Sequence, residues 1–227
     1  MKKFFLISVL LITIASSNLF SQSVGFSYFF PKNGYFSNPI APVNFSFPLK
    51  FSEYFKISGG IGMTNIGGMS MTGFPESYNS ERALVGPFQS LELNVIPTLV
   101  LPFKAVKFDL FGGVFGFTSF NCKMIGANFN EMIALANNYS FVDSNITMDK
   151  AALGWGYLFG GKINIRVSKK AWGYIGASYY LGGQKMALNG DYTAINQNNI
   201  IVNNNFNFQE TSILYQGLQL SIGAVLK

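Results

Sequence analysis

Eight segments in which apolar residues alternate with small or polar ones run along this chain, joined by connectors that alternate between very short and long. The segments are 23–30, 41–51, 55–65, 87–103, 107–120, 151–167, 171–183 and 211–226. A side-chain period of two is a strand signal. Three connectors are about three residues each, namely Ser52-Glu53-Tyr54, Lys104-Ala105-Val106 and Ser168-Lys169-Lys170. The other four, 31–40, 66–86, 121–150 and 184–210, are long. An even strand number with short turns at one end and long loops at the other is the plan of a membrane-spanning β-barrel. The predicted fold is therefore all-β: an eight-stranded antiparallel up-and-down transmembrane β-barrel.

The faces support this reading. In the last segment Leu218, Leu220, Ile222, Ala224 and Leu226 share one face, and Gly217, Gln219, Ser221 and Gly223 the other. The fourth segment sets Leu91, Leu93, Val95, Leu99 and Leu101 against Ser90, Glu92, Asn94 and Thr98. The sixth sets Trp155, Tyr157, Phe159, Ile163 and Ile165 against Gly154, Gly156, Gly160, Lys162, Asn164 and Arg166. A soluble barrel or sandwich has the same alternation with the apolar face inside. Here the non-aliphatic face is rich in glycine and poor in charge. Such a face suits a narrow lumen better than a solvated surface. In the fifth segment both faces are apolar; the expectation is Asp109, Phe111, Phe115 and Phe117 outward, with a bulge near Asp109.

Residues 1–21 read as a cleaved signal peptide, with Lys2 and Lys3 ahead of an apolar run from Phe4 to Ala15 and cleavage after Ser21. That run is shorter than the ~20 residues a spanning helix needs. Residues 22–227 are then one barrel domain, exported to the outer membrane of a Gram-negative bacterium. Without Lys2 and Lys3, 14 basic residues face 10 acidic ones, a charge of +4. That excess is too small and scattered to indicate nucleic acid. The single cysteine, Cys122, excludes an internal disulfide.

The chain contains no histidine, so Ser-His-Asp, Cys-His and His-metal arrangements are excluded. No catalytic, metal or cofactor site is expected. The candidate lumen residues are Lys56, Glu92, Lys162 and Arg166, read as an ion-pair network that plugs the barrel, because unpaired charge in a low-dielectric interior is costly. Trp155, Tyr157, Trp172 and Tyr174 lie near strand ends and are expected at the headgroup level of the bilayer. In the loops, 128–138 reads as a short helix with Asn130 as a cap, able to dock a partner or to close the barrel mouth. Alternation over 200–208 suggests strand structure beyond the membrane, read as an extension of the eighth strand in its hairpin in preference to an exposed edge that pairs with another chain. The expected partners are outer-membrane lipid and a protein met through 121–150 and 184–210.

The leader ending at Ser21-Gln22, the eight segments and the closing strand from Gly217 to Leu226 together resemble the small OmpA/OmpX-type outer-membrane barrels of Gram-negative bacteria. Such barrels commonly end in an aromatic residue; this chain ends Val225-Leu226-Lys227. The lipid-modifying and peptide-cleaving barrel enzymes rely on a histidine that this chain lacks. The resemblance implies a non-enzymatic membrane scaffold whose surface loops bind or adhere. An accessory subunit of a secretion machine and a narrow pore are the alternatives.

Overall fold

Period-two alternation becomes a closed ring of strands. A computed structural model describes residues 22–37, 44–78, 80–149, 152–169 and 171–226; the predicted leader, 1–21, lies outside them. In chain order the elements are β1 (Gln22–Pro31), β2 (Tyr35–Ser37), β3 (Asn44–Lys50), β4 (Phe55–Gly68), β5 (Met71–Thr72), β6 (Val85–Pro102) and β7 (Val106–Met124). They continue with α1 (Gly126–Asn137), β8 (Tyr139–Met148), β9 (Gly154–Arg166), β10 (Ala171–Lys185), β11 (Leu188–Asn196), β12 (Ile201–Phe208) and β13 (Ser212–Leu226). The ring runs β1-β3-β4-β6-β7-β9-β10-β13 and returns to β1, eight strands with every pairing antiparallel. Closure runs from Gln22 opposite Leu226 to Pro31 opposite Gly217. Each of the eight predicted segments supplies one strand of the ring. Closing it removes the open edges along which sheets aggregate.

The short connectors are tight turns at one end. Ser52 Oγ accepts from the backbone N–H groups of Tyr54 and Phe55 at 3.2 and 3.0 Å, and Ser168 Oγ accepts from that of Ala171 at 3.0 Å. Each serine thus caps its own turn, mimicking a backbone acceptor. Outward side chains form an apolar band: Phe26, Leu93 and Ile222 are 62%, 58% and 59% exposed, and comparable residues stand on every strand of the ring. No helix among the described residues is long and apolar enough to cross a membrane.

β7 departs from the expectation. Asp109, Phe115 and Phe117 are buried inside, whereas Phe108, Leu110 and Val114 are exposed outside. The predicted orientation of this strand is inverted, and the cause is Asp109. Turned inward, it meets the Lys56 ammonium at 2.6 Å; outward, it would stand among aliphatic side chains. Because side chains alternate strictly, one carboxylate carries the whole strand with it. The strand has no bulge near Asp109; its register with β6 shifts between Val85 and Ser90 instead.

At the long-loop end the chain builds a cap. α1 spans Gly126–Asn137 and begins after Ile125, so Asn130 is inside the helix, where it accepts a hydrogen bond from Ser144, and is not the cap. Phe129, Met132 and Ile133 are buried beneath it, whereas Leu135 is 74% exposed. β8, β11 and β12 form a separate sheet in the order β12-β11-β8. β12 is therefore not the expected extension of the last ring strand but pairs with β11 outside the ring, and β8 is a strand that the alternation does not predict. Phe129 meets Phe206 at 5.2 Å between ring centroids, Phe74 meets Phe208 at 5.2 Å, and Asn128 donates to the carbonyl of Ala83 at 2.6 Å. The same buried core continues down into the barrel through Phe88, Phe117 and Tyr215. The cap is thus continuous with the barrel interior.

Candidate functional site

The lumen has two storeys with different chemistry. Toward the loop end it is filled by rings. Tyr215 stands among Phe117, Phe29, Phe115 and Tyr180 at centroid distances of 4.8, 5.2, 5.3 and 5.7 Å. Tyr180 is edge-on to Phe115 at 5.0 Å, and Phe88 closes on Phe117 at 6.2 Å. Edge-to-face and tilted arrangements match the quadrupoles of the rings. Glycine makes the room. A Cβ on Gly154 would fall 2.3 Å from the Phe117 ring, and one on Gly156 would meet the carbonyl of Leu181 at 2.3 Å and Phe115 at 2.8 Å.

One carboxylate sits in this aromatic plug. Glu92, 3% exposed, accepts from Asn94 Nδ2 at 3.2 Å, from the Tyr215 hydroxyl at 3.4 Å and from the Tyr180 hydroxyl at 3.5 Å. No cation pairs with it among the described residues. Two phenols and an amide stand where an ion-pair network requires a lysine or an arginine. Nearby, the Thr64 and Ser90 hydroxyls share a 2.6 Å hydrogen bond.

Below the plug, toward the short turns, the lumen opens into a chamber of about 120 Å³. Lys56 and Lys162 reach into it from β4 and β9, and Asp109 from β7. Asp109 Oδ2 accepts from Lys56, while Oδ1 has no hydrogen-bond partner among the described residues. Lys162 stands directly across from Asp109 in the β7–β9 register, yet its ammonium lies over Tyr174 at 4.8 Å and Phe111 at 5.5 Å from the ring centroids. Ser58, Ser178, Ser221 and Gln219 line the same space. A second pocket of about 110 Å³ adjoins it at the turn end, sharing Pro48, Lys56, Asp109, Asn164 and Val225 and adding Lys50, Glu53, Lys107 and Trp172.

The four expected lumen charges do not form one network. Lys56 and Lys162 share the chamber, Glu92 is held apart in the plug, and Arg166 is exposed at the turn end, where its Nε donates to the Ser168 carbonyl at 3.4 Å. Asp109, which the sequence pattern places on the opposite face, joins the lysines in the chamber and is the counter-ion of Lys56. Its position opposite Lys162 follows from pairing across a 29-residue excursion between β7 and β9, a relation local pattern does not carry. Trp155 and Tyr157 face outward, 61% and 55% exposed, and their rings meet at 5.7 Å. Trp172 and Tyr174 face inward, contrary to the expected headgroup position. Lys107 lies 4.6 Å over the Trp172 ring, and Lys162 covers Tyr174. Ring–cation contacts hold both aromatics in the lumen.

The fold and interior define a small antiparallel eight-stranded barrel, filled by side chains toward its capped end. Its architecture is similar to that of the outer membrane protein OprG from Pseudomonas aeruginosa, with a TM-score of 0.53 and 12% identity over 91% of this chain and 94% of that one. A major outer membrane protein from Thermus thermophilus aligns at 9% identity with a TM-score of 0.39, over 91% of this chain and 98% of that one. No protein-family model and no curated protein matches the chain.

Proposed function

We propose that the protein is a non-enzymatic outer-membrane barrel, sealed to bulk flow, whose capped loop end binds at the cell surface. The observation that carries this reading is the pairing of an apolar band around the whole ring with a lumen blocked by the Tyr215 cluster. An outer surface bearing Phe26, Leu93 and Ile222 is stable against hydrocarbon and costly against water. The Trp155–Tyr157 pair belongs at the outer headgroup level, where amphipathic rings are favoured. OprG, whose fold is similar, is an outer membrane protein.

The cap presents the polar side of the β12-β11-β8 sheet, with Asp191 between Asn205 and Asn145 and Thr193 between Asn203 and Asp143. A partner meeting segments 121–150 and 184–210 would meet this face and α1. The plug argues against a narrow pore. The test is gel mobility of the outer-membrane fraction, boiled against unboiled, with proteolysis of intact cells. A heat-modifiable band cut only within 66–86, 121–150 or 184–210 supports both barrel and orientation. A soluble protein whose mobility is unchanged by heat refutes them.

A further inference from the structure

We propose that the chamber below the plug is a binding site for a small monovalent anion, a halide or a short carboxylate, that enters from the turn end and is held by Lys162. The inference stands on the barrel interior alone and is independent of what surrounds the outer face.

Charge is the first argument. The chamber holds two ammonium groups, Lys56 and Lys162, and one carboxylate, Asp109. Lys56 takes Asp109 Oδ2 at 2.6 Å, which leaves Lys162 without a carboxylate in ion-pair range or a hydrogen-bond acceptor among the described residues. Glu92 lies outside the chamber lining and is engaged by Tyr180, Tyr215 and Asn94. One positive charge is therefore uncompensated in an interior where desolvated charge is costly. Ring faces at 4.8 and 5.5 Å soften that cost but leave all three N–H donors unused.

Lining and size are the second. Ser58, Ser178 and Ser221 have hydroxyls that rotate to donate, and Ser23 and Ser46 form a 2.7 Å pair at the wall. About 120 Å³ is several times the ~10–15 Å³ that one water requires on the same measure, so an anion fits together with water. Asp109 Oδ1 and Asn94 Oδ1, buried without a hydrogen-bond partner among the described residues, would be satisfied by that water. Access is the third. Tyr180 and Leu158 stand at the plugged side, and the adjoining pocket at the turn end carries Lys50 and Lys107 against Glu53. Cations at the mouth raise the local concentration of anions.

Trp172, in the wall of the mouth, is a built-in reporter, and W155F leaves it the single tryptophan. Folded W155F protein in non-ionic detergent is titrated at constant ionic strength with iodide, caesium and acrylamide. Iodide quenching is expected to saturate, to exceed caesium quenching several-fold and to be reversed by acetate. K162M in this background is expected to lower the iodide response to the caesium level while acrylamide quenching is unchanged. K162R should restore it, and K104M, removing a turn lysine outside both pockets, should leave it as it was. Linear iodide quenching equal to that of caesium in W155F overturns the proposal, and that measurement needs no lysine variant to fold. Iodide quenching unchanged in a folded K162M or K162Q overturns it too.

Discussion

Replacing Tyr215 by alanine tests whether the lumen is a packed core or a loosely filled channel. Tyr215 is 1% exposed and touches five rings at centroid distances between 4.8 and 6.3 Å. Truncation of a buried aromatic removes its transfer free energy and leaves a cavity, a cost of about 3–5 kcal/mol. Tyr215→Phe keeps the packing and removes only the hydroxyl that donates to Glu92 at 3.4 Å. Glu92 retains Asn94 and Tyr180, and the expected cost is about 1–3 kcal/mol for a buried polar group losing one partner. The two variants should therefore differ by about 2 kcal/mol. The assay is equilibrium urea unfolding of the protein folded into lipid vesicles, followed by heat-modified gel mobility and extrapolated linearly to water. If Y215A falls within about 0.5 kcal/mol of the parent, the rings do not act as a close-packed core, and the argument for a sealed lumen fails with them.

The outward face makes a separate prediction: Leu93→Arg should cost about 2–4 kcal/mol in vesicles if Leu93 faces the middle of a bilayer, and a neutral outcome would refute the lipid-facing assignment. Breaking the Lys56–Asp109 pair with D109N should destabilise the barrel by less than the ~3–5 kcal/mol of a fully buried pair, because Lys56 is 27% exposed. K56M/D109L should recover part of that loss, and purely additive single-variant costs would show that the pair is not coupled. Replacing 189–208 with a short Gly-Ser linker removes most of β11 and all of β12. The heat-modifiable band should persist, α1 should become sensitive to protease, and planar-bilayer conductance should stay low because the plug remains; a large conductance would show that the cap alone seals the barrel.

The ring is legible in the sequence because each of its strands writes its own faces. Leu218, Leu220 and Ile222 against Gly217, Gln219 and Ser221 declare an outside and an inside with no help from neighbours, and the turn lengths order the strands. β7 shows where local pattern ends. Both its faces are apolar, and the choice between them comes from Lys56, a residue on another strand of the ring. Trp172 and Tyr174 escape the pattern for a related reason: an aromatic near a strand end suits a headgroup layer or a lumen equally, and Lys107 and Lys162 decide for the lumen.

Alternation, connector length and residue type are local properties, so they can be read without coordinates. They suffice for the closed eight-stranded ring, its two ends and a helix read at 128–138 and observed at Gly126–Asn137. The division of the lumen charges into a phenol-bound Glu92 and a lysine chamber around Asp109 emerges only when the strands are assembled. So does the folding of 139–148 and 188–208 into a sheet beyond the barrel. Those outcomes depend on which strands lie opposite one another across long excursions of chain, and that is set by closure of the ring, not by any single segment.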